Sequence, residues 1–211
     1  MFFNKPKKLG QELADLALRL ANSDEVDQFI SRNAFTPEQS QRFRFGVVIV
    51  NIITTIWLIN FLVQNRDRAK SIIDPLHRAY RDAIGAERIP IRIGSLIPYE
   101  EEQQLLRIEM MLYLGEVKNI ENITSDMWTL TDMIYNSRQS QYTEDINKGM
   151  VDMRSNPGHL GPMFHVARRF AVHFTGKKTS SDDPSLVVEL SMLFALYLTI
   201  LMGTIKRGLG K

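Results

Sequence analysis

The sequence GVVIVNIITTIWLINFLV, residues 46–63, decides the fold of this chain because it carries no charged side chain along its whole length. Upstream, Thr36 and Gln39 have the spacing of a capping box around a proline that suits the first helical position. Nothing interrupts helical geometry before a charged run begins at Asn65. We therefore predict one helix over residues 36–65, about 40 Å long at a rise of about 1.5 Å per residue.

Polar residues inside this stretch bear on whether the helix crosses a membrane or fills a protein core. At about 100° per residue, Asn51 and Thr55 fall on one narrow line, and Asn60 lies on the opposite side. Two asparagines pointing in opposite directions are costly in lipid but are easily placed between packed helices. We therefore favour a buried core helix, with Asn51 and Thr55 hydrogen-bonded to neighbouring helices and Trp57 tightly packed.

A second stretch, residues 186–203, is similarly apolar and lies in a C-terminal helix predicted over residues 184–207. Each stretch approaches the length of about 20 residues that a helix needs to cross a bilayer. Basic residues follow the second stretch, which fits a cytoplasmic C-terminus under the positive-inside rule. Two membrane spans, near residues 46–63 and 186–203, therefore remain the alternative to a core.

The rest of the chain predicts further helices with short connections. Amphipathic spacing and start signals indicate them over about residues 9–20, 22–30, 74–84, 98–115, 124–153 and 160–174. The helix at 74 starts at Asp74-Pro75, a cap followed by a proline, and residues 87–98 resemble an irregular connection or an edge strand. We predict an all-α fold: a single bundle-like domain over residues 1–211, with about seven helices around the central helix (36–65) and the C-terminal helix (184–207).

Composition limits the functional classes. The chain has 211 residues, of which 44% are hydrophobic and 24% are charged, which suits one globular domain. A net charge of +2 is too small to argue for a nucleic-acid partner. The absence of cysteine excludes disulfides, thiol nucleophiles and cysteine-ligated metals. No secretory signal is visible, so we expect a cytoplasmic protein, with the inner membrane as the alternative location.

The sharpest group of candidate binding residues lies on the helix predicted over residues 160–174. Four basic or titratable residues share its polar side, and we call them the basic ridge: His165, Arg168, Arg169 and His173. Two more cations follow that helix, Lys177 and Lys178. Such a group suits an acidic protein partner, an anionic lipid or a phosphate, and an ordinary solvated helix face has the same pattern. We predict partner binding at these six residues.

No pattern of a nucleophile elbow, phosphate loop, dinucleotide site or zinc helix occurs in the sequence. We therefore predict no catalytic residue, cofactor or metal. The favoured function is a non-enzymatic protein–protein interaction module: an adaptor, an assembly factor or a subunit of a larger complex. Its expected partner is another protein or a second copy of the chain, and an anionic membrane surface is also compatible. The alternatives are a small inner-membrane component and a helical enzyme or ligand binder with a pocket in the bundle.

Overall fold

A computed structural model describes the protein over residues 5–85, 127–156, 161–175 and 184–210. Within these ranges the chain forms helices and no strand, so the all-α class is confirmed. The helices are α1 (Lys5–Leu20), α2 (Asp24–Arg32), α3 (Pro37–Leu62), α4 (Arg66–Gly85), α5 (Met127–Ser155), α6 (Phe164–Thr175) and α7 (Pro184–Leu209). The predicted helix over 98–115 and the predicted connection over 87–98 lie outside the described residues.

α3 is the helix that the other helices enclose. The predicted capping box starts it: Thr36 Oγ1 accepts a hydrogen bond from the Gln39 N–H, and Gln39 Oε1 accepts one from the Thr36 N–H. Because the helix is apolar on every side, every side needs cover. α1, α4, α5, α6 and α7 all pack against it, and every residue from Phe45 to Ile56 is buried.

The polar residues of α3 are buried as predicted but do not bond to neighbouring helices. The exposed fractions of Asn51, Thr54 and Thr55 are 1%, 2% and 0%. Thr55 Oγ1 donates to the Asn51 carbonyl of its own helix at 2.7 Å, whereas Asn51 Nδ2 and Thr54 Oγ1 have no hydrogen-bond partner among the described residues. The prediction of hydrogen bonds to neighbouring helices is therefore wrong. The Thr55 hydroxyl reaches the Asn51 carbonyl one turn back, and the surrounding core is mainly apolar.

The C-terminal end of α3 reaches the protein surface. Trp57 is partly buried, and its Nε1 donates to Asn147 Oδ1 of α5 at 2.9 Å. Its ring stacks on Phe61, with 5.1 Å between the ring centroids, and Phe61 is 57% exposed. The prediction that Trp57 is tightly packed is therefore wrong, because its ring lies at the boundary between the core and the solvent.

α4 runs from Arg66 to Gly85 without a break, so the helix start predicted at Asp74-Pro75 is wrong. Asn65 provides the start instead, because its Oδ1 accepts a hydrogen bond from the Arg68 N–H at 2.9 Å. Pro75 sits in the helix interior, where its missing N–H leaves one backbone carbonyl without its helical partner. The charged run after α3 is therefore the first turn of the next helix.

α1 lies against the backbone of α4 beside this proline. A Cβ added at Gly10 would collide with the backbone oxygen of Ile72 and would come within 3.0 Å of Pro75 Cβ. Only glycine leaves room for this approach. The close contact brings the apolar side of α1, which includes Leu13 and Ala17, into the core.

α3 and α7 both bind the junction between α1 and α2. The Tyr197 hydroxyl of α7 donates to the Leu20 carbonyl at 2.9 Å, and burial is the main cause that raises the pKa of Tyr197 to about 12. Arg44 of α3 donates to the Ala21 carbonyl at 3.1 Å and pairs with Asp27 of α2. The carbonyls that α1 leaves without helical partners are thus satisfied by side chains.

Two of the described helices are long and apolar enough to cross a membrane, α3 over Gln39–Leu62 and α7 over Pro184–Leu209. They differ in burial: 78% of the most apolar window of α3 is buried inside the protein, against 39% for α7. Core helices of soluble proteins have the same length and composition, so both helices fit either a core or spans. What distinguishes them is that α7 keeps one side uncovered.

The neighbouring threonines of α3 provide a matched test of its buried polar groups. Thr54→Val removes a buried hydroxyl that has no partner, so we expect the free energy of unfolding to rise by about 1–2 kcal/mol. Thr55→Val removes a satisfied hydroxyl of the same shape, so we expect a loss of about 0.5–1.5 kcal/mol. Urea denaturation measures both. Destabilisation by Thr54→Val equal to that by Thr55→Val would show that Thr54 has a partner.

Candidate functional site

The basic ridge lies on α6, but its four residues do not share one solvent-exposed surface. Arg168 is exposed, His165 and Arg169 are partly buried, and His173 is buried with 8% of its surface exposed. The expectation that all four face outward is therefore wrong for His173. Lys177 and Lys178 lie outside the described residues. Partner binding at these six positions stays a prediction.

Two acidic residues of α5 bind two residues of the basic ridge and draw them towards the protein. Arg169 binds Asp145 with two nitrogens, Nε to Oδ2 and Nη2 to Oδ1, the latter at 3.0 Å. The hydrogen bond that Arg169 donates to Asp145 is the largest cause that raises the pKa of Arg169. His165 Nε2 lies 2.7 Å from Asp152 Oδ2, so α6 is joined to α5 at two points. His165 and Arg169 therefore join α6 to α5.

His173 is a neutral core residue. Its Nδ1 lies 3.0 Å from the Tyr142 hydroxyl of α5. Burial is the main cause that lowers the pKa of His173 to about 2, and the nearby Arg138 and Arg169 lower it further. The ring therefore stays uncharged at physiological pH and adds no positive charge to the ridge.

A small cavity lies next to His173. Its volume is about 10 Å³, which is room for a single water molecule, and its lining includes Arg42, Arg138 and Phe170. Positive and aromatic side chains meet here, but the space is too small for a substrate or an organic cofactor. The cavity is therefore a small gap in the packing between α3, α5 and α6.

A larger depression of about 490 Å³ lies along α5 and opens widely to solvent. It is lined by polar residues of that one helix: Asn136, Gln139, Ser140, Thr143, Glu144 and Asn147. Glu144 is its sole titratable group, so this depression lacks the paired acid and base that hydrolytic or proton-transfer chemistry needs. In the part of the chain that the structure describes, no three His, Asp or Glu residues are placed to hold a metal ion.

The exposed side of α7 is the apolar surface that sequence reasoning missed. Five residues share this side at helical spacing, and we call them the α7 outer face: Val188, Met192, Leu196, Thr199 and Gly203. Met192 is 70% exposed and Leu196 is 43% exposed. At Gly203, the position that a Cβ would take has no atom within 4 Å among the described residues, apart from the glycine, its chain neighbours and the nearby backbone of α7 itself. No amphipathic signal marks this side in the sequence, because α7 is apolar all round.

Comparison of the chain with protein-family models, with curated proteins and with solved structures finds no match. Three features of the described residues bear on function: α3 forms the core, the basic ridge is largely internal, and α7 keeps an apolar side in contact with water.

The depressed pKa of His173 predicts a specific dependence of stability on pH. Between about pH 6.5 and about pH 2 the unfolded state binds a proton that the folded state excludes, so stability is complete above about pH 6.5 and falls as pH falls. The slope is at most about 1.4 kcal/mol per pH unit. His173→Gln removes the titration, so from about pH 7 to about pH 5 it should lose about 2 kcal/mol less than wild type.

Urea denaturation across this pH range measures the difference. Tyr142→Phe is the matched control, because it removes the hydrogen bond to His173 but keeps the titrating ring. It should lower stability by about 0.5–1.5 kcal/mol at neutral pH and keep the wild-type slope. Parallel pH profiles for wild type and His173→Gln would contradict the burial of a neutral histidine.

Proposed function

We propose that the protein is a non-enzymatic helical interaction module, an adaptor, an assembly factor or a subunit of a larger complex, that binds a protein partner through the α7 outer face. The observation that supports this most strongly is an apolar helix whose inner side packs in the core while Met192 and Leu196 stay in water. Burying such a side chain fully is worth about 1.5–3 kcal/mol. An uncovered row of them is typical of a binding surface.

The residue types of the α7 outer face suit a helix of a partner. Methionine has a flexible, polarizable side chain that adapts to different shapes, as Met192 would have to do in an interface. The open backbone at Gly203 allows another helix to approach closely. Helix-in-groove binding uses apolar anchors at this spacing, one and two turns apart. The face therefore has anchors and a point of close approach.

Charged groups border both ends of the α7 outer face. At the N-terminal end, Glu189 lies 3.9 Å from Arg32 of α2. At the C-terminal end, Lys206 and Arg207 are exposed. An apolar centre with a polar rim is the usual layout of a protein interface, in which the rim contributes to orientation more than to affinity.

The second candidate is a small inner-membrane component, and the length of α7 together with its 39% burial favours it. A two-span arrangement would also require α3 to contact lipid. α3 is 78% buried over its most apolar window, and it is covered by helices such as α1, whose outer side carries Glu12 and Arg19. This cover favours the interaction module, with a cytoplasmic location, over two spans. An enzyme is the least supported of the three candidate functions, because neither described cavity offers catalytic groups.

A double substitution on the α7 outer face tests the proposal. Met192→Glu with Leu196→Glu should lower the melting temperature only slightly, because Met192 is 70% exposed and Leu196 is 43% exposed. It should reduce capture of natural protein partners at least about tenfold, a change of about 1.4 kcal/mol. Affinity capture with quantitative mass spectrometry, in buffer without detergent, measures this.

The matched control carries the same change on α5. Val151→Glu with Met153→Glu replaces two apolar residues that are 59% and 40% exposed. This pair should keep the wild-type set of partners. If both double variants retain or both lose the same partners, the α7 outer face is not the binding surface.

A further inference from the structure

Five exposed cations lie where α1 begins beside the end of α7. The contact is made by Leu9, whose side chain occupies the space that a Cβ on Gly208 would need. Cations flank this contact on both helices, and we call them the terminal basic cluster: Lys5, Lys7, Lys8, Lys206 and Arg207. The two groups are about 200 positions apart in the sequence, so folding alone brings them to one end of the molecule.

Lys7 and Lys8 contribute little to the stability of the fold. The first turn of α1 contains lysines and no acidic residue, although the positive end of the helix dipole favours acidic side chains there. Lys8 lies 3.7 Å from Glu12, but both side chains are largely exposed and such a pair contributes little. Exposed charges of one sign at the same end of the molecule attract an anionic partner.

The composition of the cluster favours a lipid surface as that partner. Four of the five cations are lysines, which act as hydrated point charges and lack the bidentate geometry with which arginine recognises a single carboxylate or phosphate. Clusters of four to eight such cations bind the anionic headgroups of cytoplasmic membrane leaflets.

We propose that the terminal basic cluster binds anionic phospholipid headgroups and holds the protein at the surface of a bilayer. The cluster lies at the end of α7, whereas the exposed anchors of the α7 outer face lie further along the same helix. At a rise of about 1.5 Å per residue, Lys206 is about 15 Å from Leu196 and about 21 Å from Met192 along the helix axis. A bilayer at the cluster therefore leaves the outer face free for a protein partner.

Vesicle co-sedimentation of the full chain tests this proposal directly. Wild type should bind vesicles of equal parts phosphatidylcholine and phosphatidylserine, should not bind phosphatidylcholine alone, and should be released by high salt. Lys7→Gln with Lys8→Gln should weaken binding about 25-fold, since each cation near an anionic surface contributes about fivefold in affinity. Glutamine keeps a helix propensity similar to that of lysine, so α1 should stay folded.

Two further variants separate this proposal from the proposed function. Lys148→Gln with Arg154→Gln removes two exposed cations from α5 and should leave vesicle binding unchanged. Met192→Glu with Leu196→Glu should also leave it unchanged, because the outer face does not contact the bilayer in this account. Equal binding to neutral and anionic vesicles would overturn the proposal. So would equal weakening by the α1 and α5 pairs, loss of binding on substitution of the outer face, or binding of an acidic protein without binding of anionic vesicles.

Discussion

The structure depends on the enclosure of α3. Between Phe45 and Ile56 this helix exposes nothing to water, and its sequence offers no polar side that could face solvent. Removing such a helix from water requires cover on all sides, which a single partner helix does not provide. α1, α4, α5, α6 and α7 supply that cover, and the side-chain bonds at the α1–α2 junction and the ion pairs between α5 and α6 hold them in place.

α7 is also apolar all round, but unlike α3 it is covered on one side only. α7 has one buried side, including Phe194, Tyr197 and Leu201, which packs towards the core, but its sequence is apolar on the other side as well. The cover that the described helices give α3 is not given to the outer side of α7. Monomeric soluble proteins rarely expose such rows of apolar residues, which supports the proposal that a partner covers the outer face. The terminal basic cluster is a second surface of different chemistry, at the end of the molecule where α1 begins and α7 ends.

Much of this architecture was predictable from local patterns. The capping box and the uninterrupted apolar run predicted α3 correctly, and the start of the C-terminal helix at residue 184 was also predicted. The helix predicted from residue 160 begins at Phe164 instead. The failures depend on context that a single local signal does not contain: the start predicted at Asp74-Pro75 lies inside α4, which begins after Asn65 and continues through the proline.

The candidate site was less predictable than the fold, for the same reason. Helical spacing grouped His165, Arg169 and His173 on a polar side, but it could not reveal that Asp152, Asp145 and Tyr142 of α5 face them. The α7 outer face was hidden for the opposite reason: uniform hydrophobicity carries no information about which side is covered. The sequence pattern of one helix identifies its polar side, but not which residues of other helices pack against that side.

Hydrogen–deuterium exchange of the full chain in aqueous buffer without detergent tests the central claim, that α3 is the enclosed core helix of a folded bundle. The account predicts that the amides from Phe45 to Ile56 exchange more slowly than those of any other described segment, and only through global unfolding. Fast exchange of these amides in buffer, with protection appearing only when detergent or lipid is added, would contradict it.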